Sequence, residues 1–177
     1  GINGFGRIGR LVLRALLENY KDKIQVVAIN DLGSIEANAH LVKYDSTHGT
    51  LPYDVETSKS GFKILNQDIK VFAERDPANL PWGKVGVDVV LECTGLFLDK
   101  ISAEKHIKAG AKKVIISAPA KEVDFTVVQG VNSSELKKEH NVISNGSCTT
   151  NCLAPVAMVL EKNFGIEYGY MTTIHSY

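Results

Sequence analysis

The sequence carries no excess charge of either sign. Its 20 Lys and Arg residues balance 20 Asp and Glu across 177 residues. That balance gives no reason to expect a polyanion-binding surface, so nucleic acid is not an expected partner. Apolar runs are short, and none approaches the roughly 20 residues a membrane helix needs. A membrane is therefore not an expected partner either, and no basic-then-apolar stretch reads as a signal peptide. Only three cysteines occur. So few, and an odd number, exclude a disulfide scaffold and favour a reducing, cytoplasmic compartment. No internal repeat, low-complexity tract or flexible linker is present. The chain begins at Gly1 inside a motif and stops two residues after His175. The expectation is a longer protein cut at both ends.

What is present begins at once. Gly4, Gly6 and Gly9 form G-x-G-x-x-G, and Leu11, Val12, Ala15 and Leu16 follow at helical spacing. The first glycine permits a tight turn, the second close approach of a pyrophosphate, and the third tight helix–strand packing. The pattern alone is weak, but it has a second half. Ile24 to Asn30 reads as a buried strand ending at Asp31, about 20 residues past the last glycine. A carboxylate there accepts hydrogen bonds from a ribose diol and repels a 2′-phosphate, which favours NAD over NADP. A turn or helix cap is the competing reading of Asp31.

Further along, Ser34 caps a helix over Ile35 to Lys43. Phe62 to Leu65 and Asp68 to Val71 read as an antiparallel excursion around Asn66-Gln67. Arg75 and Asp76 read as a solvated charge pair, or as the border of an adenine site. Val87 to Cys93 is a strand ending in Thr94-Gly95, where small groups can line a cleft at a strand's carboxyl end. Ser102 to Ala109 reads as a helix capped by Gly110, and Asn132-x-x-Glu135 has capping-box spacing. Lys113 to Ser117 and Thr126 to Gln129 read as strands. The alternation predicts an α/β fold with a mostly parallel sheet and right-handed crossovers.

The most informative stretch is Ile143-Ser-Asn-Gly-Ser-Cys-Thr-Thr-Asn-Cys152. A short strand, Asn141 to Ser144, meets a glycine turn, and Ser147 stands at a helix N-cap. Cys148 then opens the helix, facing unpaired backbone N–H groups and the positive end of the dipole. Both favour a thiolate, and the same donors suit an oxyanion. Met171 to His175 alternates like a strand and ends on an imidazole, the usual base for such a thiol. A buried structural cysteine is the plainer alternative. A zinc site of Cys148, Cys152 and His175 lacks the usual ligand spacing, so no metal is expected.

Two constellations coincide in one chain. Gly4-Phe-Gly-Arg-Ile-Gly-Arg10 with Asp31 is one. Ser144-Asn-Gly-Ser-Cys-Thr-Thr-Asn-Cys152 with Thr173-Ile-His-Ser-Tyr177 is the other. Together they closely resemble phosphorylating glyceraldehyde-3-phosphate dehydrogenases, as do Glu92-Cys-Thr-Gly95 and Ile116-Ser-Ala-Pro-Ala120. The resemblance implies a Rossmann-type, doubly wound NAD-binding domain over residues 1–147. The beginning of an α+β catalytic domain would follow over 148–177. It implies Cys148 as nucleophile, His175 as its base, and Ser147 and Thr149 as holders of inorganic phosphate. Arg7, Ile8, Asp31, Arg75 and Ser117 match cofactor-contacting positions, with Thr94 and Gly95 beside them. The expected activity is NAD-dependent oxidative phosphorylation of glyceraldehyde 3-phosphate to 1,3-bisphosphoglycerate in glycolysis, by a homotetramer. Erythrose-4-phosphate dehydrogenase is the nearest rival, but it tends to carry Glu where Asp31 stands. A cysteine hydrolase would not need the glycine fingerprint. A non-catalytic nucleotide-binding fragment is the remaining alternative.

Overall fold

In a computed structural model, the strand β1 (Ile2–Asn3) lies inside a nine-stranded sheet. Residues 1–175 are described; Ser176 and Tyr177, the end of the last resemblance segment, lie outside the described residues. The turn after β1 leads to helix α1 (Arg7–Asn19), then to β2 (Ala28–Asn30) and α2 (Ile35–Lys43). A small hairpin follows, β3 (Tyr44–Asp45) with β4 (Gly49–Thr50). The antiparallel excursion has three strands, β5 (Val55–Ser58), β6 (Gly61–Ile64) and β7 (Gln67–Phe72). The chain then returns through β8 (Val89–Glu92), α3 (Lys100–Lys108), β9 (Lys113–Ile116), β10 (Phe125–Thr126) and β11 (Val142–Ser144). Helix α4 (Cys148–Phe164) follows, and then an irregular stretch through His175.

The sheet order is β10-β11-β9-β8-β1-β2-β7-β6-β5. All pairs from β10 to β7 are parallel, and only β5–β6 and β6–β7 are antiparallel. The chain starts in the middle, winds outward through β2, then comes back to β8 on the other side of β1. That reversal makes a crevice at the carboxyl ends of β1 and β8, where doubly wound sheets bind ligands.

Buried apolar side chains divide into groups set by the two faces. Ile2, Leu13, Leu17, Ile29 and Val42 pack with the excursion residues Phe62, Ile64 and Ile69. Trp82 packs with Ala28, Val87 and Val90, and Ala103 with Val114, Ile116 and Val142. Each large side chain removed from water contributes about 1.5–3 kcal/mol.

Several local expectations are corrected. Only Ala28–Asn30 of the Ile24–Asn30 run pairs as a strand; Ile24 is solvent-exposed because the chain is still turning out of α1. The helix expected from Ser102 starts two residues earlier, since Asp99 accepts from the Ser102 N–H and takes the cap. Asn132 forms no capping box. Its side chain accepts from Val128 N and donates to Thr126 O, leaving one 3₁₀ turn over Ser133–Glu135. That same loop ends β10 at Thr126, short of the expected Gln129. Met171 to His175 forms no strand, because no partner strand lies beside it among the described residues.

Candidate active site

The turn from β1 into α1 is shaped by Gly4 and Gly9. Gly4 has φ +86°, and a Cβ there would come within 2.7 Å of Thr94 N. A Cβ on Gly9 would sit 2.2 Å from Gly4 O, so helix and turn are in direct backbone contact. Gly6 is different. It occupies the N-cap of α1 without a side-chain bond, and nothing lies within 4 Å of where its Cβ would be. Open space therefore adjoins the uncapped start of α1, as an anion site at a helix N-terminus requires.

Asp31 follows β2. One carboxylate oxygen accepts from Phe5 N at 2.8 Å and the other from Gly33 N at 2.8 Å. Each oxygen keeps acceptor capacity for a further donor. Asp31 thus holds the glycine turn in place as well as facing the crevice. Gly4, Gly6, Asp31, Arg75 and Thr94 line one cavity of about 360 Å³ with Asn3, Asn30 and Phe97. Arg7, Ile8, Gly9, Gly95 and Ser117 are not among its lining residues. Arg7 instead pairs with Asp45, whose carboxyl is held well below the usual range, chiefly by the His48 N–H with further help from Arg7. Ser117 donates its N–H to Glu92 O. Arg75 and Asp76 are not partners: Asp76 pairs with Lys105 at 3.2 Å and caps the turn at Pro77. A larger cavity of about 580 Å³ lies at the opposite end of the sheet. Apolar residues such as Ile2, Val87 and Ile115 line it, and it contains none of the expected site residues.

The second part of the site lies along the same carboxyl edge. β11 is three strands from β1, roughly 14 Å at the usual interstrand spacing. Ser144 is fully buried. Its hydroxyl donates to Ala118 O at 2.7 Å and accepts from Gly146 N at 3.0 Å, fixing the turn that follows. Gly146 has φ +68°, a conformation that disfavours a side chain. Ser147 caps α4, accepting from Thr150 N at 2.9 Å. Asn151 donates to both Asn145 O and Ser147 O, which ties the turn to the helix it opens. Cys148 is the first residue of α4 and its side chain is exposed. His175 Nε2 lies 3.0 Å from Thr173 Oγ1 and 3.5 Å from Thr149 Oγ1, beside that helix start. Cys93 contrasts with Cys148: burial, opposed by the Ser117 hydroxyl, pushes its thiol up to about 11.

A glycine turn at a helix start, an acid at the end of the next strand and a crevice at the sheet reversal define a dinucleotide-binding α/β protein. Comparison with known proteins narrows this. Residues 1–100 match the family model for the glyceraldehyde 3-phosphate dehydrogenase NAD binding domain. Residues 147–177 match that of the same enzyme's C-terminal domain. The chain is 58% identical over 177 residues to a glyceraldehyde-3-phosphate dehydrogenase of Pseudomonas aeruginosa, covering 99% of this chain and 53% of that protein. It is 56% identical to that of Xanthobacter flavus, covering 99% and 52%. It is 57% identical to glyceraldehyde-3-phosphate dehydrogenase 1 of Bacillus cereus, covering 100% and 53%. The chain belongs to the glyceraldehyde-3-phosphate dehydrogenase family. It spans about half the length of these curated relatives, and its cofactor is NAD.

Sequence reasoning missed the carboxylate of Glu92, the amides of Asn3 and Asn30, and the hydroxyl of Ser144. Glu92, Asn30 and Ser144 were read only as strand, and Asn3 was passed over inside the glycine motif. The available signal was a polar residue inside a buried apolar run.

Proposed function

We propose that the protein containing this chain is a glycolytic oxidoreductase that oxidises and phosphorylates glyceraldehyde 3-phosphate to 1,3-bisphosphoglycerate. The observation that carries the reading is an exposed Cys148 at the N-terminus of α4, on the same sheet edge as the NAD crevice. The cofactor-binding residues in this reading are Gly4, Gly6, Arg7, Ile8, Gly9, Asp31, Arg75, Thr94, Gly95 and Ser117. NAD, when bound, supplies the hydride acceptor. The other roles belong to the chain. The Cys148 thiolate, beside the N–H groups that open α4, adds to the aldehyde carbon to give a thiohemiacetal. The same donors stabilise the developing oxyanion. His175 takes the hydroxyl proton as the adduct loses hydride and becomes a thioester. Inorganic phosphate, held by Ser147 and Thr149, attacks the thioester carbonyl, and the Cys148 sulfur leaves. Serine in place of the thiol would give a poorer acyl donor.

The division of labour follows the same line. Residues 1–147 form the NAD-binding domain, and 148–177 begin the catalytic domain; β11 is the last strand of the sheet and α4 buries none of its residues. Assembly as a homotetramer and a cytoplasmic location belong to this reading as well. Among the described residues no helix is long and apolar enough to cross a membrane.

The test is NADH formation by the full-length protein with and without inorganic phosphate. Turnover that requires phosphate supports the reading; equal rates without it point to a hydrolytic aldehyde dehydrogenase. Replacing Cys148 by Ser is expected to abolish oxidation while NAD still binds. Retained dehydrogenase activity in that variant would remove Cys148 from its role.

A further inference from the structure

Behind the crevice lies a set of buried polar groups to which the chemistry above gives no task. Glu92, His106 and Asn3 are each at most 1% exposed, and Asn30 is 5% exposed. Their hydrogen bonds have a definite polarity. Trp82 Nε1, a donor only, lies 2.9 Å from His106 Nδ1, so that nitrogen accepts and bears no proton. The proton of the neutral ring is then on Nε2, which lies 2.9 Å from Glu92 Oε2 and donates to it. From the other side, Glu74 N donates to Asn30 Oδ1, Asn30 Nδ2 to Asn3 Oδ1, and Asn3 Nδ2 to Glu92 Oε2 at 2.6 Å. The second Glu92 oxygen accepts from Thr94 N at 2.8 Å and from the Thr94 hydroxyl. The 3.5 Å approach of Asn3 Nδ2 to His106 Nε2 sets two donors side by side and is not a bond.

Two chains of donors and the Thr94 turn all converge on one carboxylate. Four donors fill its acceptor positions, which leaves it as an anion with no room for a proton. Thr94 in turn borders the glycine turn: a Cβ on Gly4 would come within 2.7 Å of its N atom. Asn3, Asn30, Glu74 and Thr94 also line the crevice, whereas His106 and Trp82 stand behind it.

We infer that Glu92 is a positioning residue for the NAD site: its buried carboxylate, oriented by a neutral Nε2–H His106, holds the Thr94 turn and the β1 amide at the distance the glycine turn needs. This rests on the assignment of NAD to that crevice. Gln at position 92 keeps the shape but presents N–H groups where donors already point. One donor pair must then separate, and the Thr94 turn shifts against Gly4.

The experiment has two arms on the full-length protein. In the first, nitrogen NMR of labelled histidine in the unmodified protein reads the His106 ring. A proton on Nε2 and a bare Nδ1 are expected; the opposite tautomer, or a doubly protonated ring, overturns the inference. In the second, NAD affinity is measured for Glu92→Gln, with Val114→Ala, a core change remote from the crevice, as the control for lost stability. Affinity is expected to fall about tenfold or more in Glu92→Gln, the scale of one buried donor left unpaired. It is expected to hold in the control. Equal affinity in Glu92→Gln and unmodified protein, or an equal fall in the control, overturns it. Where Glu92→Gln does not fold, His106→Phe takes its place. It removes a donor to Glu92 from behind the crevice, and unchanged affinity there overturns the inference too. Failure of the unmodified protein to bind NAD would instead overturn the assignment beneath it, and the ring measurement would still decide the proton placement.

Discussion

Helices α1 and α4 begin at like places in the fold and are held differently. Each follows a short buried strand and a glycine turn, and each begins at the carboxyl edge of the sheet. Among its 13 residues α1 buries Gly9, Leu13, Arg14 and Leu17. None of the 17 residues of α4 is buried, and Val156, Val159, Leu160 and Phe164 are exposed. The caps are reversed in the same way. The start of α1 has no side-chain cap and leaves its N–H groups free, whereas Ser147 and Asn151 hold the start of α4. Where tertiary packing fixes a helix, its terminus can be left open for a ligand. Where these residues supply no packing, local hydrogen bonds must place Cys148.

The largest effect expected from this contrast is on stability. Leu13→Ala on α1 removes a fully buried side chain and is expected to cost about 3 kcal/mol. Leu160→Ala on α4 removes one that is 45% exposed. It is expected to cost under about 0.5 kcal/mol in this chain. Urea denaturation of the 177-residue chain measures both. Similar losses would mean that α4 is packed as well as α1.

Reactivity should show the same contrast. Cys93 in the sheet half is partly buried with its thiol pushed up to about 11, while Cys148 and Cys152 on α4 are exposed. Alkylation follows the thiolate. Near pH 8 iodoacetamide should modify Cys93 far more slowly than the exposed Cys148, because burial keeps the Cys93 thiol protonated and covered. Mass spectrometry of timed samples reads this directly, and comparable rates would contradict the burial difference.

The glycine turn allows a finer division. Gly9→Ala places a methyl against Gly4 O and is expected to cost about 2 kcal/mol through forced backbone movement. Gly6→Ala meets nothing and is expected to change stability by less than about 0.5 kcal/mol. It should still weaken NAD binding, because the added methyl stands in the open space before α1. Gly6→Ala with full NAD affinity would show that the cofactor does not approach there.

Sequence patterns carried this architecture unevenly, for physical reasons. Ser34 and Ser147 were readable as caps because a short hydroxyl acts within three residues of itself. Gly4, Gly9 and Asp31 were readable because spacing alone sets their geometry. Alternation in Met171 to His175 misled, since a strand needs a partner that no local pattern can provide. Strands β3, β4 and β5 went unread because they are short and mostly exposed, with little apolar signal. The Glu92 network was invisible for another reason. Glu92 and His106 are 14 residues apart, and His106 and Trp82 are 24 apart, so only the fold brings them together.

The smallest expected effect concerns the entry to β11, the strand that delivers α4. Asp124 accepts from Asn141 N at 2.8 Å and Val142 N at 2.9 Å, and pairs with Lys100 at 2.6 Å. Partial burial raises its carboxyl, but Lys100 and the two N–H groups outweigh that and hold it at about 2, below the ordinary 3.8. A depressed carboxyl stabilises the fold above the unfolded value and stops doing so as pH falls through the folded one. The window is therefore about pH 4 down to about pH 2. The Lys100 side chain is 38% exposed, so the contribution is expected to be about 1 kcal/mol or less. Asp124→Asn keeps an oxygen for one N–H but loses the charge. Its stability should vary less than that of the unmodified chain across that window, as followed by acid titration of the urea midpoint. A variant with the same acid slope would mean that the strand feeding α4 is held by packing alone, which would bring the two helices closer in kind than their burial suggests.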